Sequence, residues 1–106
     1  MKKMGVGIIG AGWVAGEHIR AFNTHPDTEV VALCSRDGEK AKAKAVAGGI
    51  SCAILTDYEK LVARDDVDIV VVATPPHVHR AQAVAAAQAG KHLLLEKAMA
   101  TNLDDC

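Results

Sequence analysis

Short, solidly apolar runs alternate along this chain with stretches whose apolar residues recur at helical spacing. Val6 to Ile9 is an apolar run with a β-branched bias that ends at Gly10, which predicts a buried strand. From Trp13 to Asn23 the spacing turns helical, with Val14, Ile19 and Phe22 on the apolar side and Pro26 beyond the end. Val30 to Cys34 predicts a second strand. "DGEKAKAKAVAGG" predicts a helix with lysines outward and alanines inward, stopped by Gly48 and Gly49. "SCAIL" is a weaker third strand, and Asp57 to Ala63 a short helix capped by Thr56 or Asp57. The clearest strand is Ile69 to Ala73, broken by Pro75 and Pro76. A helix over Val78 to Ala89 stops at Gly90, and Leu93 to Leu95 forms a fifth strand.

The better strands are continuous apolar runs rather than alternating ones. Both their faces are therefore expected to be covered, as in a parallel sheet between two helix layers. This predicts an α/β fold in a single domain over residues 1–106. In the last stretch, "KAMATNLDDC", Thr101 or Asn102 is a good helix N-cap with Asp104 and Asp105 in the first turn. One isolated turn is not stable, so a piece of a longer protein is expected.

Half of the residues are apolar, and the formal net charge is -1. That balance gives no electrostatic reason to expect nucleic acid or an anionic membrane as a partner. Trp13, Phe22 and Tyr58 are the only aromatics of the Phe, Trp and Tyr kinds, so the core must come from Val, Ile, Leu and Ala. The three cysteines, Cys34, Cys52 and Cys106, form no CxxC pair and no zinc-type spacing. Free thiols in a reducing, cytoplasmic setting are expected. Two lysines and an apolar run at the N-terminus superficially resemble a secretion signal. Repeated glycines and the early Glu17, His18 and Arg20 argue against that. No apolar run approaches the ~20 residues of a membrane span.

"VGIIGAGWVAGEH", at the first strand–helix junction, carries G-x-G-x-x-A as Gly10, Gly12 and Ala15. Gly10 permits a tight turn, Gly12 removes a Cβ from the path of a pyrophosphate, and Ala15 lets helix and strand pack closely. The amides at the helix start then face the phosphates. The reading is dinucleotide binding. A small-residue packing turn and an S-adenosylmethionine loop remain as alternatives. No G-x-x-x-x-G-K-[ST] occurs, which excludes a nucleoside triphosphate P-loop. At the end of the second strand, Ser35 stands where an acid would hold a ribose 2′-hydroxyl, followed by Arg36 and Lys40. A hydroxyl and two cations suit a 2′-phosphate, which favours NADP over NAD. The counter-reading leaves both cations solvated and gives the ribose to Asp37.

Together, "GIIGAGWVAGEH" and "VDIVVVATPPHVHRAQAVAAAQAGKHLLLEK" resemble the N-terminal domain of the glucose–fructose oxidoreductase/inositol dehydrogenase family, Gfo/Idh/MocA. The resemblance runs from Val6 to Asn102. It implies a Rossmann-type, doubly wound sheet of strand order 3-2-1-4-5, without the family's sixth strand and C-terminal substrate and oligomerisation domain. It also implies a nicotinamide cofactor and hydride transfer to or from a sugar, cyclitol or related polyol or ketone. By that resemblance Gly10, Gly12, Trp13 and Val14 line the pyrophosphate turn, and Ser35 and Arg36 address the adenosine ribose. Thr74, Pro75, Pro76 and His79 lie near the nicotinamide half. Glu96 and Lys97 match the family's Glu-Lys-Pro, whose lysine is implicated in substrate binding and proton transfer. Ala98 replaces the proline, which would have fixed φ.

His77 and His79 could suggest a metal pair, but no third ligand lies nearby in sequence, and no metal is expected. Lys97 could be only a solvated charge at a strand end. A non-catalytic dinucleotide-binding module, such as a redox sensor or an inactive paralogue, is the alternative to an enzyme. The apolar "HLLL" run at a sheet edge predicts self-association.

Overall fold

The structure is a computed structural model describing residues 3–10, 13–74 and 76–95, with side chains for all of these except 13–15, 76–79 and 95. The elements follow in the order β1 (Met4–Ile9), α1 (Trp13–Thr24), β2 (Thr28–Cys34), α2 (Gly38–Ala47) and β3 (Ala53–Leu55). They continue with α3 (Tyr58–Val62), β4 (Ile69–Val72), α4 (Pro76–Gln88) and β5 (His92–Leu95). All neighbouring strands pair in parallel, in the order β3-β2-β1-β4-β5. The predicted topology and the alternation of elements both appear. β1 starts two residues earlier than the apolar run suggests, because Met4 and Gly5 still pair with Thr28 and Glu29. α4 starts at Pro76 rather than Val78, since proline suits the first turn of a helix.

The three central strands, β2, β1 and β4, pack against helices on both faces. Val6, Ile8, Val30, Leu33 and Val71 pack with Ile19 of α1 and Ala41 and Ala45 of α2. On the other face Ile9, Ala32, Cys34, Val70 and Val72 pack with Leu61 and Val62 of α3 and Ala86 of α4. Each large aliphatic side chain so buried contributes roughly 1.5–3 kcal/mol. The alanines of α2 and α4 let the helices approach the sheet closely.

One irregularity sets the geometry downstream. Val6 of β1 pairs with Val30, but Gly7 pairs with Ala32, so Val31 is the extra residue of a β-bulge. Val31 and Ala32 therefore both face the α3–α4 layer. Leu33 then faces α1–α2, and Cys34 faces α3–α4. Side chains alternate every residue, so the inserted residue inverts the facing of everything that follows it in β2.

Caps define the helix ends. Asp37 Oδ1 accepts from Glu39 N at 3.0 Å at the start of α2, and Asp57 Oδ1 from Glu59 N at 2.9 Å at the start of α3. Each such cap contributes about 1 kcal/mol. α2 ends in a Schellman motif. Gly49 N donates to Val46 O at 3.1 Å and Ile50 N to Ala45 O at 3.0 Å, with Gly49 at φ +69°.

Candidate dinucleotide site at the carboxyl rim of the sheet

The parallel registers bring the carboxyl ends of the strands into line. Ile9 lies beside Cys34 and Val72, Cys34 beside Leu55, and Val72 beside Leu95. Backbone hydrogen bonds carry the ladder past the strand ends. Gly10 N donates to Cys34 O at 2.7 Å, Ser35 N to Leu55 O at 3.1 Å, and Ala73 N to Ile9 O at 2.9 Å. The rim is thus a tied platform on which Gly10, Ser35 and Thr74 are fixed relative to one another.

β1 has β2 on one side and β4 on the other, so the chain leaves in opposite directions from neighbouring strands at this point. A crevice opens at such a switch, and ligands of open α/β sheets bind there. Gly10 sits at its base with φ +118°. A Cβ on Gly10 would lie 2.6 Å from Ala73 O and 3.3 Å from Thr74 Cγ2. No residue with a side chain fits that turn without displacing β4. The first strand therefore ends in a turn reserved for glycine, directly ahead of the α1 N-terminus. There the first amides of the helix lack intrahelical acceptors and favour an anion.

At the neighbouring strand end, Ser35 is half-buried, and its Oγ accepts from Asp37 N at 3.3 Å. The Ser35 hydroxyl proton remains to be donated elsewhere. Arg36 and Lys40 are exposed beside it, Lys40 in the first turn of α2. Asp37 has one carboxylate oxygen committed to the α2 cap. Cys34, just below, is buried, and burial with the nearby Asp57 carboxylate pushes its thiol pKa up to about 11. It is a packing residue rather than a nucleophile at neutral pH.

On the β4 side, Thr74 Oγ1 donates to Gln82 Oε1 at 2.5 Å. Gln82 is buried within α4. Sequence reasoning passes over this residue, because "RAQAVAAAQ" reads as an alanine helix with solvated glutamines. Its place four residues before the buried Ala86 is the signal that would have found it. Trp13, Val14 and Ala15 open α1, and Pro76 and His79 lie in the first turns of α4, as far as the backbone defines them. Gly12, Pro75, Glu96, Lys97 and Ala98 lie outside the described residues, as does the helix expected after Thr101. Among the described residues no cluster of His, Cys, Asp or Glu is arranged to hold a metal ion. No helix among them is long and apolar enough to cross a membrane. A groove of about 350 Å³ between α1 and α2, lined by Arg20, Asn23 and Lys44 among others, involves none of the strand-end residues.

Residues 4–106 match the Gfo/Idh/MocA family model, described as an oxidoreductase family with an NAD-binding Rossmann fold. The chain belongs to the Gfo/Idh/MocA oxidoreductase family. It is 40% identical over 99 residues to a 1,5-anhydro-D-fructose reductase from Ensifer adhaerens, covering 93% of this chain and 29% of the relative. Its fold superposes with a TM-score of 0.88 on KijD10, a 3-ketoreductase from Actinomadura kijaniata solved with TDP-benzene and NADP. The two are 34% identical, over 98% of this chain and 33% of that one. The WlbA dehydrogenase from Bordetella pertussis, solved with NADH and UDP-GlcNAcA, matches with a TM-score of 0.88 and 33% identity, over 98% of this chain and 32% of that one. This Gfo/Idh/MocA chain thus spans about a third of the length of these relatives.

Proposed function

We propose that this chain is the cofactor-binding half of an NAD(P)-dependent oxidoreductase acting on a sugar, cyclitol or related polyol or ketone. The observation that carries the reading is the Gly10 turn, whose φ and contact with Ala73 O leave no room for a Cβ at the switch point. Residues around it fit a dinucleotide. The α1 N-terminus meets the pyrophosphate, Ser35 and its neighbours meet the adenosine ribose, and Thr74 borders the nicotinamide half. A bound nicotinamide supplies the hydride donor or acceptor. Lys97 moves the hydroxyl proton of the substrate, by the family's Glu-Lys match at Glu96 and Lys97. The relatives' reductase and dehydrogenase activities support this substrate class.

Within that reading, NADP is the preferred cofactor. Ser35 brings no negative charge, Asp37 is engaged as a helix cap, and Arg36 and Lys40 stand exposed at the same rim. Two partly exposed contacts to a 2′-phosphate contribute on the order of 1–3 kcal/mol, or about tenfold to a hundredfold in affinity. Titrating the chain with NADPH and NADH in one buffer tests both levels. Binding of neither refutes the site. Equal or tighter NADH binding refutes the preference. Ser35→Asp with Arg36→Ala should reverse the preference, and added salt should weaken NADPH more than NADH. Ala98, in place of the family's proline, favours a second reading as a non-catalytic dinucleotide module. In a chain extended to its relatives' length, Lys97→Met should lower kcat by about a hundredfold or more while changing cofactor Kd far less. A protein that binds cofactor but turns over no polyol or ketone would favour the second reading.

A further inference from the structure

Gln82 and Thr28 are the buried polar side chains among the described residues, and only Gln82 is directed to the carboxyl rim. Burying an amide costs free energy unless it is hydrogen-bonded, and an apolar residue at this position in α4 would avoid that cost. Its partner is the hydroxyl of Thr74, eight residues earlier, at 2.5 Å. That separation suits an O–H···O bond and is too short for an amide N–H donor, so the hydroxyl donates and the amide oxygen accepts. Threonine is stiff at χ1, so fixing Oγ1 also fixes the methyl. The Thr74 methyl stands 3.3 Å from where a Gly10 Cβ would be, beside the Ala73 carbonyl that closes on the same turn. The Thr74–Gln82 hydrogen bond therefore ties α4 to the Ala73–Thr74 segment that leaves no room for a side chain at Gly10.

The geometry points to Gln82 as a positioning residue of the dinucleotide site. Its Oε1 accepts the hydrogen bond of the Thr74 hydroxyl, fixes the Thr74 rotamer, and so holds in place the Ala73–Thr74 segment that the Gly10 turn faces. The inference rests on the dinucleotide reading above and adds a residue remote from the ligand to it.

The test is a fluorescence titration of the chain with NADPH and NADH, beside thermal unfolding of each variant. Gln82→Met keeps length and helix preference but removes the acceptor. It should raise Kd on the order of three- to tenfold, the effect of losing one neutral hydrogen bond. Gln82→Glu retains an acceptor oxygen at the same reach; read at about pH 5, where burial favours the neutral acid, it should bind more tightly than Gln82→Met. Thr74→Val keeps the methyl and removes the donor; it should raise Kd at least as much as Gln82→Met. The double variant should be no weaker than the worse single one, because both remove the same bond. Should Gln82→Met not fold, Thr74→Val against Gln82→Glu carries the comparison. A lower melting temperature with unchanged Kd, or additive losses in the double variant, overturns the inference while leaving the dinucleotide site in place. Failure of the unaltered chain to bind either dinucleotide overturns both.

Discussion

Replacing Gly10 by alanine separates two costs that the structure makes distinct. At φ +118° an L-residue is strained by about 1–3 kcal/mol. The added Cβ would also sit 2.6 Å from Ala73 O and 2.9 Å from Ala73 C, and such overpacking costs a further 1–3 kcal/mol, roughly. The sum of about 2–6 kcal/mol is comparable to the whole stability of a small domain, so part of it must be relieved by moving the turn. Relief takes the Gly10 amide away from Cys34 O and shifts the α1 N-terminus. Each amide–phosphate bond lost there removes about 1.5–3 kcal/mol of binding, or roughly ten- to a hundredfold in affinity. Gly49→Ala is the control. It too has positive φ, but an added Cβ there meets nothing within 4 Å. It should cost roughly 1 kcal/mol of stability and leave affinity unchanged. Thermal unfolding should place Gly10→Ala about 10 °C or more below the unaltered chain, with reduced-nicotinamide fluorescence reporting the affinity loss. A Gly10→Ala variant that melts no lower than Gly49→Ala and binds NADPH equally would refute the close-approach argument.

Asp37→Ala should destabilise α2 by about 1 kcal/mol, measured by urea unfolding, because Glu39 N loses its cap. The Cys34 thiol is held protonated in the native state from its ordinary value of 9.0 up to about 11. The native state therefore binds the proton more tightly than the unfolded one. That contribution is complete below pH 9 and fades as pH rises toward 11. Cys34→Ala should flatten alkaline stability loss by up to about 2–3 kcal/mol, read from denaturation midpoints across that range. Leu93 and Leu94 are 38% and 40% exposed on the edge strand β5. Leu93→Lys with Leu94→Glu should reduce concentration-dependent association in sedimentation, and a strictly monomeric unaltered chain would contradict it.

The alternation of elements was legible because the better strands are built on continuous apolar runs and the helices between them are set off by caps, glycines or prolines. The Gly10 turn was legible for the same reason: glycine spacing at a strand–helix junction is a backbone requirement written directly in residue type. The bulge at Val31 was not. In "VVALC" every residue is apolar, so an inserted position changes no pattern, although it decides which layer Leu33 and Cys34 face. Gln82 escaped for the opposite reason. Its burial depends on a tertiary partner at Thr74, and a glutamine between alanines looks solvated until that partner is in place. Asp37 reads in sequence equally as a ribose acid, and its cap role follows from the path of the chain into α2.

The strand order also dictates a sequence of events during folding. β1 is made first but lies in the middle, with Val6 paired to Val30 on one edge and to Ile69 on the other. The β1–α1–β2–α2–β3 half can collapse as soon as it exists, yet it leaves the "VGII" edge unpaired until β4 arrives. Contacts this distant in sequence slow folding and prolong the life of exposed strand edges. Until residues 69–72 dock, the β1 edge of the nascent chain is thus open to pairing with another strand, its own or a neighbour's.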